Sequence, residues 1–342
     1  MSNQAPSRSV ILGCAGAKLT TDEQAFFKEA DPFGFILFAR NVENPDQLCQ
    51  LTSDLRESVD RPDAPVFVDQ EGGRVQRMRP PHWRAAPAMQ VFGELYKSSP
   101  EKAREALALN IALLAAELRA VGISVDCAPL LDVSNPATHA AIGDRAFSPD
   151  ADSVCDLGRV AMDAFMANGV FPVIKHIPGH GRATVDSHQD LPVVSATHDE
   201  LSAIDFKPFQ SLRDAPFGMT AHIIYEAIDA ARPATTSPTV IHDVIRQEIG
   251  FEGLLISDDL SMHALTGDFE CRARGCLEAG CDLALHCNGD PAEMEAVVRA
   301  APPMTESQWS KWRSFREDLK RPADFDTADA ERRLESLLAG LL

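Results

Sequence analysis

The chain alternates between short apolar runs and longer amphipathic segments. The apolar runs are nearly continuous in hydrophobicity and rich in β-branched residues, a pattern typical of strands that are buried on both faces of a sheet. The runs lie at residues 9–14, 33–39, 64–70, 123–133, 170–176, 217–223, 253–259 and 281–287. We therefore predict eight buried strands.

The segments between the runs have helical periodicity with start and stop signals. Residues 44–59 open with Asn-Pro, residues 99–122 open with Ser-Pro and end in glycine, and residues 237–250 run from serine to glycine. Regular alternation of strands and helices implies parallel strands joined by right-handed crossovers. Eight strands favour a closed (β/α)8 barrel of the TIM type. A doubly wound sheet is the main competitor, but no glycine-rich fingerprint follows the first strand.

The domain organisation is predicted to be simple. No linker separates a second unit, so we expect residues 1–342 to form a single catalytic barrel domain. Residues 303–342 have a helical pattern and are expected to pack on the barrel as an extension, with Trp309 and Trp312 as anchors.

Composition narrows the possible environments and partners. The chain has 342 residues, 45% hydrophobic and 24% charged, and a formal net charge of −19, which disfavours nucleic acid and anionic membranes as partners. The eight cysteines show no C-x-x-C spacing and are predicted to be buried, reduced thiols. We see no signal peptide or transmembrane span and expect a cytoplasmic protein.

Ionisable and polar residues recur where the predicted strands end. In a parallel barrel these ends and the following loops converge on one mouth, so together they predict an active site. The residues concerned are Asp69, Gln70, Glu71, Asp132, Lys175, His176, His222, Asp258, Asp259 and His286.

The loop at residues 175–192 carries most of the histidines. His176 and His180 have i, i+4 spacing, but a proline and a glycine lie between them, which argues against a helix that presents both to zinc. Asp186 and His188 suit a different role, because a nearby carboxylate can fix the imidazole tautomer and raise its basicity. His188 is thus a candidate general acid/base, oriented by Asp186.

Carboxylates and arginines at other strand ends complete the candidate set. Asp258 can serve as a nucleophile or stabilise a cation, whereas Asp259 is expected to face away and cap a helix. In the segment at residues 71–77, arginines after two glycines can grip an oxygen-rich ligand, and Asp69 can accept hydrogen bonds from paired hydroxyls. For Arg74 a structural salt bridge is the alternative interpretation.

Six segments together resemble a known family, the bacterial β-N-acetylglucosaminidases of glycoside hydrolase family three, in particular single-domain cytoplasmic members of peptidoglycan recycling. The combination of the fourth and sixth segments is highly specific. The segments are VDQEGGRVQR (68–77), GISVDCAPLLDV (122–133), IGDRAF (142–147), KHIPGHG…DSH (175–188), MTAHI (219–223) and SDDLSM (257–262).

The resemblance implies a retaining mechanism without metal or cofactor. Asp258 would be the nucleophile, and His188 would be the acid/base assisted by Asp186. The substrate would be GlcNAc-β-1,4-anhydro-N-acetylmuramic acid, with or without a stem peptide, cleaved by a monomer. The residues that would bind the terminal GlcNAc are Asp69, Arg77, Arg145, Lys175 and His176.

Other functions remain open from the residues alone. The His/Asp set could form a metal hydrolase, which chelators would inactivate. A neutral base repels phosphate less than a carboxylate does, so phosphate could replace water as the acceptor. A sugar-binding protein on a decayed barrel fits poorly, because a nucleophile, an acid/base and its partner are all present. Glu71 is the nearest rival carboxylate, expected to serve structure or substrate contact.

Overall fold

The computed structural model describes residues 7–187, 190–320 and 326–341. Eight parallel strands, here β1 to β8, form its centre. In chain order they are Arg8–Gly13, Pro32–Leu37, Val66–Val68, Val125–Asp126, Phe171–Ile177, Phe217–Thr220, Leu254–Asp259 and Leu283–His286.

The strands close into a barrel, as predicted. Each strand pairs in parallel with its neighbours in the chain, and β8 returns to pair with β1. The closing register places Val10 beside Ala284 and Leu12 beside His286. The (β/α)8 barrel is therefore confirmed, and the doubly wound sheet is excluded because its edges would remain open.

The fourth strand is much shorter than its apolar run predicts. The run spans residues 123–133, but ladder pairing is confined to Val125–Asp126 and an isolated bridge between Leu130 and Lys175. Pro129 has no amide hydrogen to donate, so it cannot extend the ladder.

Helices cover the outside of the barrel and one of its ends. The helix covering the gap between β6 and β7 was predicted at residues 237–250 and is wound as a π-helix over Val240–Glu248. A second π-helical stretch is Leu201–Asp205. The α-helices are Thr21–Ala30, Pro45–Ser58, Met89–Ser98, Pro100–Ala120, Ala151–Ala167, His198–Glu200, Lys207–Ser211, Phe269–Ala279, Pro291–Ala300, Glu306–Asp318 and Thr327–Leu338.

Local sequence explains where the helices begin. Asn44 accepts a hydrogen bond from the amide of Gln47, as its Asn-Pro signal predicts. Asp150 caps the helix that follows it in the same way, through the amide of Ser153. These contacts satisfy amide groups that have no partner inside the first turn.

Two apolar layers hold the barrel. The outer layer lies between strands and helices, and the inner layer fills the barrel with side chains that alternate with the outer ones along each strand. Along β1, for example, Ile11 belongs to the inner layer, and Val10 and Leu12 belong to the outer layer.

Trp312 closes the amino-terminal end of the barrel. It lies on the helix Glu306–Asp318 and packs against Phe33, Phe171 and Phe217, with ring centroids 5.2, 5.1 and 5.9 Å away. These phenylalanines stand at the beginnings of β2, β5 and β6. Trp312 thus anchors its helix as predicted. Its ring forms a plug in the floor of the barrel, the end opposite the carboxyl ends of the strands.

Among the described residues, no helix combines the length and the apolar character needed to cross a bilayer.

Replacing Trp312 with alanine should destabilise the protein by about 3–5 kcal/mol, because the ring leaves a cavity that the rigid barrel cannot fill. Denaturant unfolding monitors the loss. Trp309→Ala is the matched control, since Trp309 is half-buried on the same helix and packs at the margin of the inner layer. Equal losses of stability in the two variants would contradict this role of Trp312.

Candidate active site

A cavity of about 320 Å³ opens at the carboxyl ends of the strands. It is of a size suited to a small ligand, since such sites span about 300–1,000 Å³. The charged and histidine side chains that line it are Asp69, Arg74, Arg77, Arg145, Lys175, His176, His180, Asp186, Asp258 and Asp259.

A buried ion cluster forms one wall of the cavity. The Lys175 ammonium lies 2.8 Å from an Asp69 carboxylate oxygen and 2.6 Å from Glu71, and the side chains of Lys175 and Glu71 are each 2% exposed. Glu71 also accepts two hydrogen bonds of 2.8 Å from the guanidinium of Arg145. Arg77 donates to the second oxygen of Asp69 at 3.0 Å.

Mutual attraction keeps Asp69, Glu71 and Lys175 ionised. Burial alone would raise the pKa of both carboxyls, but Lys175 and Arg77 hold the pKa of Asp69 well below its usual range. Arg145 and Lys175 likewise lower the pKa of Glu71 to about 2. Burial would lower the pKa of Lys175, yet the two carboxylates outweigh it and raise the pKa.

Two glycines allow Arg77 to reach this wall. Gly72 and Gly73 have φ values of 98° and 55°, a region that L side chains rarely adopt. The chain therefore turns sharply, and the ribbon Gln70–Gly72 pairs with Val75–Gln76. The Arg77 guanidinium then lies over the ring of Phe38, 5.1 Å from its centroid.

Asp132 organises the neighbouring wall from behind. Its carboxylate accepts hydrogen bonds from the backbone amides of His176 and His180, at 3.2 and 2.6 Å, and pairs with Nδ1 of His176 at 2.8 Å. Burial would raise the pKa of Asp132, but the His176 ring lowers it. With Nδ1 engaged, the Nε2 atom of His176 is the ring nitrogen left to contact a ligand.

Asp258 lies at the end of β7. Its amide contacts the hydroxyl of Thr220 at 3.3 Å, and its Oδ1 accepts the amide of Asp259 at 2.8 Å. The carboxylate lines the same cavity as Asp69, Lys175 and Asp186.

The structure thus brings together seven of the eight residues predicted for the site: Asp69, Arg77, Arg145, Lys175, His176, Asp186 and Asp258. The eighth, His188, lies outside the described residues.

Arg74 and Asp259 line the cavity and also make local structural contacts. Arg74 pairs with Asp144 at 2.7 Å and donates to backbone carbonyls, including that of Ala140, so the salt-bridge interpretation is confirmed. The expectation that Asp259 faces away and caps a helix was wrong, because Asp259 lines the cavity beside Asp258. The Asp259 carboxylate caps a turn through the amide of Ser261 and accepts the amide of Cys287, and no helix starts there.

Two of the histidines at strand ends are not among the described residues that line the cavity. His222 is buried, with Nδ1 2.7 Å from the hydroxyl of Thr235 and Nε2 3.1 Å from the carbonyl of Asp259. His286 is buried with its ring edge against Phe269. The expectation that these rings join the site was therefore wrong, because contacts with neighbouring residues hold both rings behind the residues that line the cavity.

Asp126 is a buried acid that the strand-end pattern missed. It lies inside the run that forms β4, where its carboxylate accepts the amide of Gln70 at 3.0 Å, and its Oδ2 has no partner among the described residues. Burial, assisted by the carboxylates of Asp69 and Glu71, raises the pKa of Asp126 to about 8. An aspartate in the middle of an apolar run was the available signal.

Asp126 should therefore be protonated at neutral pH. An unfolded aspartate has a pKa of about 3.9, so between that pH and about 8 the folded state holds a proton that the unfolded chain releases. The free energy of unfolding then falls as the pH rises through this window. Asp126→Asn mimics the neutral acid, and its stability relative to wild type should improve from pH 5 to pH 8 in denaturant unfolding.

Asp214→Asn is the control for this measurement. Asp214 lies on the surface, where its hydrogen bonds with Arg159 lower its pKa, so it stays ionised in both states across that range. An Asp126→Asn difference that does not change with pH would show that Asp126 is ionised in the folded protein.

Comparison with known proteins is consistent with this arrangement. Residues 9–308 match the glycosyl hydrolase family 3 N terminal domain. The β-hexosaminidase of Alkalilimnicola ehrlichii is 40% identical over 298 residues, covering 86% of this chain and 84% of that protein. The β-hexosaminidase of Methylococcus capsulatus is 40% identical over 307 residues, covering 88% of each.

The fold comparison agrees. The crystal structure of NagZ from Neisseria gonorrhoeae in complex with N-trifluoroacetyl-D-glucosamine is 31% identical, with a TM-score of 0.86 over 99% of both chains. The chain therefore belongs to glycosyl hydrolase family 3 and is a glycoside hydrolase.

Proposed function

We propose that this protein is a retaining exo-β-N-acetylglucosaminidase that uses Asp258 as nucleophile and His188, assisted by Asp186, as acid/base. The β-N-acetylhexosaminidase activity itself follows from the family and its relatives. The observation that carries the finer proposal is that Asp258 and Asp186 line the same cavity as the Asp69–Lys175 pair.

The wall formed by the ion cluster suits a sugar ring. Each Asp69 oxygen pairs with one cation, at 2.8 Å for Lys175 and 3.0 Å for Arg77, and keeps a lone pair for a sugar hydroxyl. The ammonium of Lys175 and the Nε2 of His176 can contact neighbouring hydroxyls. A cavity of about 320 Å³ favours one sugar residue, which supports release from the chain end.

Asp258 is positioned to form the glycosyl-enzyme. In the first step its carboxylate attacks the anomeric carbon while the acid/base protonates the departing oxygen. In the second step the same acid/base removes a proton from water, which attacks that carbon and frees Asp258. Two displacements at one carbon retain its configuration.

A histidine can perform both proton transfers. Its ordinary pKa of about 6.5 lets it hold a proton in one step and accept one in the next. Asp186 stands two positions before His188 and lines the cavity, which supports its assignment as the partner that orients the imidazole.

We propose that the substrate is GlcNAc-β-1,4-anhydro-N-acetylmuramic acid, with or without a stem peptide, cleaved by a cytoplasmic monomer during peptidoglycan recycling. A structural neighbour that binds N-trifluoroacetyl-D-glucosamine supports an N-acylated glucosamine in the cavity. The net charge of −19 disfavours nucleic acid or an anionic membrane as partner.

Wild-type protein should release chromophore from an aryl β-GlcNAc glycoside in the presence of chelator, with the β-anomer of GlcNAc appearing first by NMR. Asp258→Asn should lose this turnover, because an amide cannot form the glycosyl ester, yet it should still bind GlcNAc in calorimetry.

The other outcomes separate the alternatives. Turnover by Asp258→Asn near the wild-type rate would overturn the nucleophile. Inactivation by chelator would indicate a metal hydrolase, and release of GlcNAc-1-phosphate when phosphate is added would indicate phosphorolysis.

Glu71→Gln should weaken GlcNAc binding and lower kcat/KM at least tenfold, because Lys175 and Arg145 then lose a shared carboxylate and shift from the sugar. Removing one partner from a buried charge pair costs about 3–5 kcal/mol, so the melting temperature should also fall. Glu117→Gln is the control, since Glu117 is half-buried and 3.8 Å from Arg84, outside the cavity lining. Unchanged KM and kcat in Glu71→Gln would refute this role.

A further inference from the structure

The first half of the loop after β5 is tightly anchored. Asp132 binds the amides of His176 and His180, and the hydroxyl of Tyr225 donates to the carbonyl of Gly179 at 2.7 Å. Farther along, Asn135 donates to the carbonyl of Gly181 at 2.9 Å. The loop base thus has a fixed position relative to the barrel.

The second half of this loop runs out into solvent and then returns to the protein interior. Thr184 and Val185 are exposed, with Val185 at 37%, whereas Ser187 is buried at 5%. The returning residue meets the anchored base, because the Ser187 hydroxyl lies 3.3 Å from Nε2 of His180. Ser187 stands between Asp186 and His188 in the sequence.

A histidine at position 180 lowers the stability of the fold, which a purely structural role would not explain. Its ring is buried, and its Nδ1 atom has no hydrogen-bond partner among the residues that the structure describes. An unpaired buried polar atom lowers stability, so an apolar ring would pack here at lower cost. The contact with Ser187 is what an apolar ring would not provide.

We propose that His180 and Ser187 are positioning residues: their contact fixes the chain at Asp186 and Ser187, and this supports proton transfer at the glycosidic oxygen by the acid/base proposed to follow.

The His180 ring can donate to Ser187 or accept from it, and the ring nitrogen that carries the hydrogen decides which. Asp132, His176 and Asp258 lie near the His180 ring, and burial, followed by the neighbouring His176, lowers the pKa of His180 to about 4. The ring is then neutral at working pH and carries one N–H. With that hydrogen on Nε2, the ring donates to the Ser187 oxygen, and the Ser187 hydroxyl keeps its own hydrogen for a second contact.

This role rests on the proposed function, because it acts through His188. General acid/base catalysis contributes about 10²–10⁴-fold, and a misplacement of about 1 Å can cost 10²-fold. The loss of activity should depend on the leaving group. A stable anion such as dinitrophenolate departs without a proton, whereas a more basic leaving group needs one.

The test compares kcat/KM for phenyl and 2,4-dinitrophenyl β-GlcNAc glycosides, because this ratio reports the step that expels the leaving group. Ser187→Ala should lose about tenfold or more on the phenyl glycoside and less than about threefold on the dinitrophenyl glycoside. Ser187→Thr keeps the hydroxyl and should recover most of the loss. His180→Phe should behave as Ser187→Ala does.

Two further variants distinguish a failure of the positioning role from a failure of the acid/base assignment. Ser237→Ala is the matched control, because Ser237 is buried and hydrogen-bonded to Asp229 away from the cavity, and it should match wild type on both substrates. His188→Ala tests the proposed acid/base itself. If His188→Ala discriminates between leaving groups and Ser187→Ala loses nothing or loses equally on both, the positioning role is refuted. If His188→Ala loses equally on both, the acid/base assignment is refuted and the positioning role with it.

Discussion

The ammonium of Lys175 lies between the carboxylates of Asp69 and Glu71 with almost no access to solvent. A buried ammonium is tolerated only where its charge is matched, and the two carboxylates are held by the cation in return. Arg145 and Arg77 extend the cluster, one on each carboxylate. The mouth of the barrel is thus a set of charges that stay in place together, which makes it a preorganised polar surface.

This surface depends on the barrel for its geometry. Asp69 follows β3 and Lys175 lies within β5, and parallel strands with shared register bring their ends to one height. The short β4 lies between these strands and contributes Asp126 beneath the cluster. A neutral acid at that position adds no third negative charge beside Asp69 and Glu71, so the balance at the mouth is preserved at neutral pH.

Sequence patterns predicted the architecture and most of the charged residues that line the cavity, because strand periodicity and strand ends are local features. Lys175, His176 and Asp258 were accessible in this way. Arg145 was not, since it lies on a short helical turn far from a strand end, and it came with the family resemblance. Asp126 was missed because its burial depends on strands distant in the chain. The orientation of His222 was also misjudged, since it is decided by Thr235.

The plug formed by Trp312 separates the two ends of the barrel. Its aromatic contacts all lie at the starts of strands, whereas the ionisable side chains of the cavity lie at their ends. Conserving the fold and conserving the chemistry are therefore demands on different residues. Substitutions that tighten the floor for life at higher temperature can accumulate without altering substrate choice, and the mouth can diverge toward new glycans on an unchanged base.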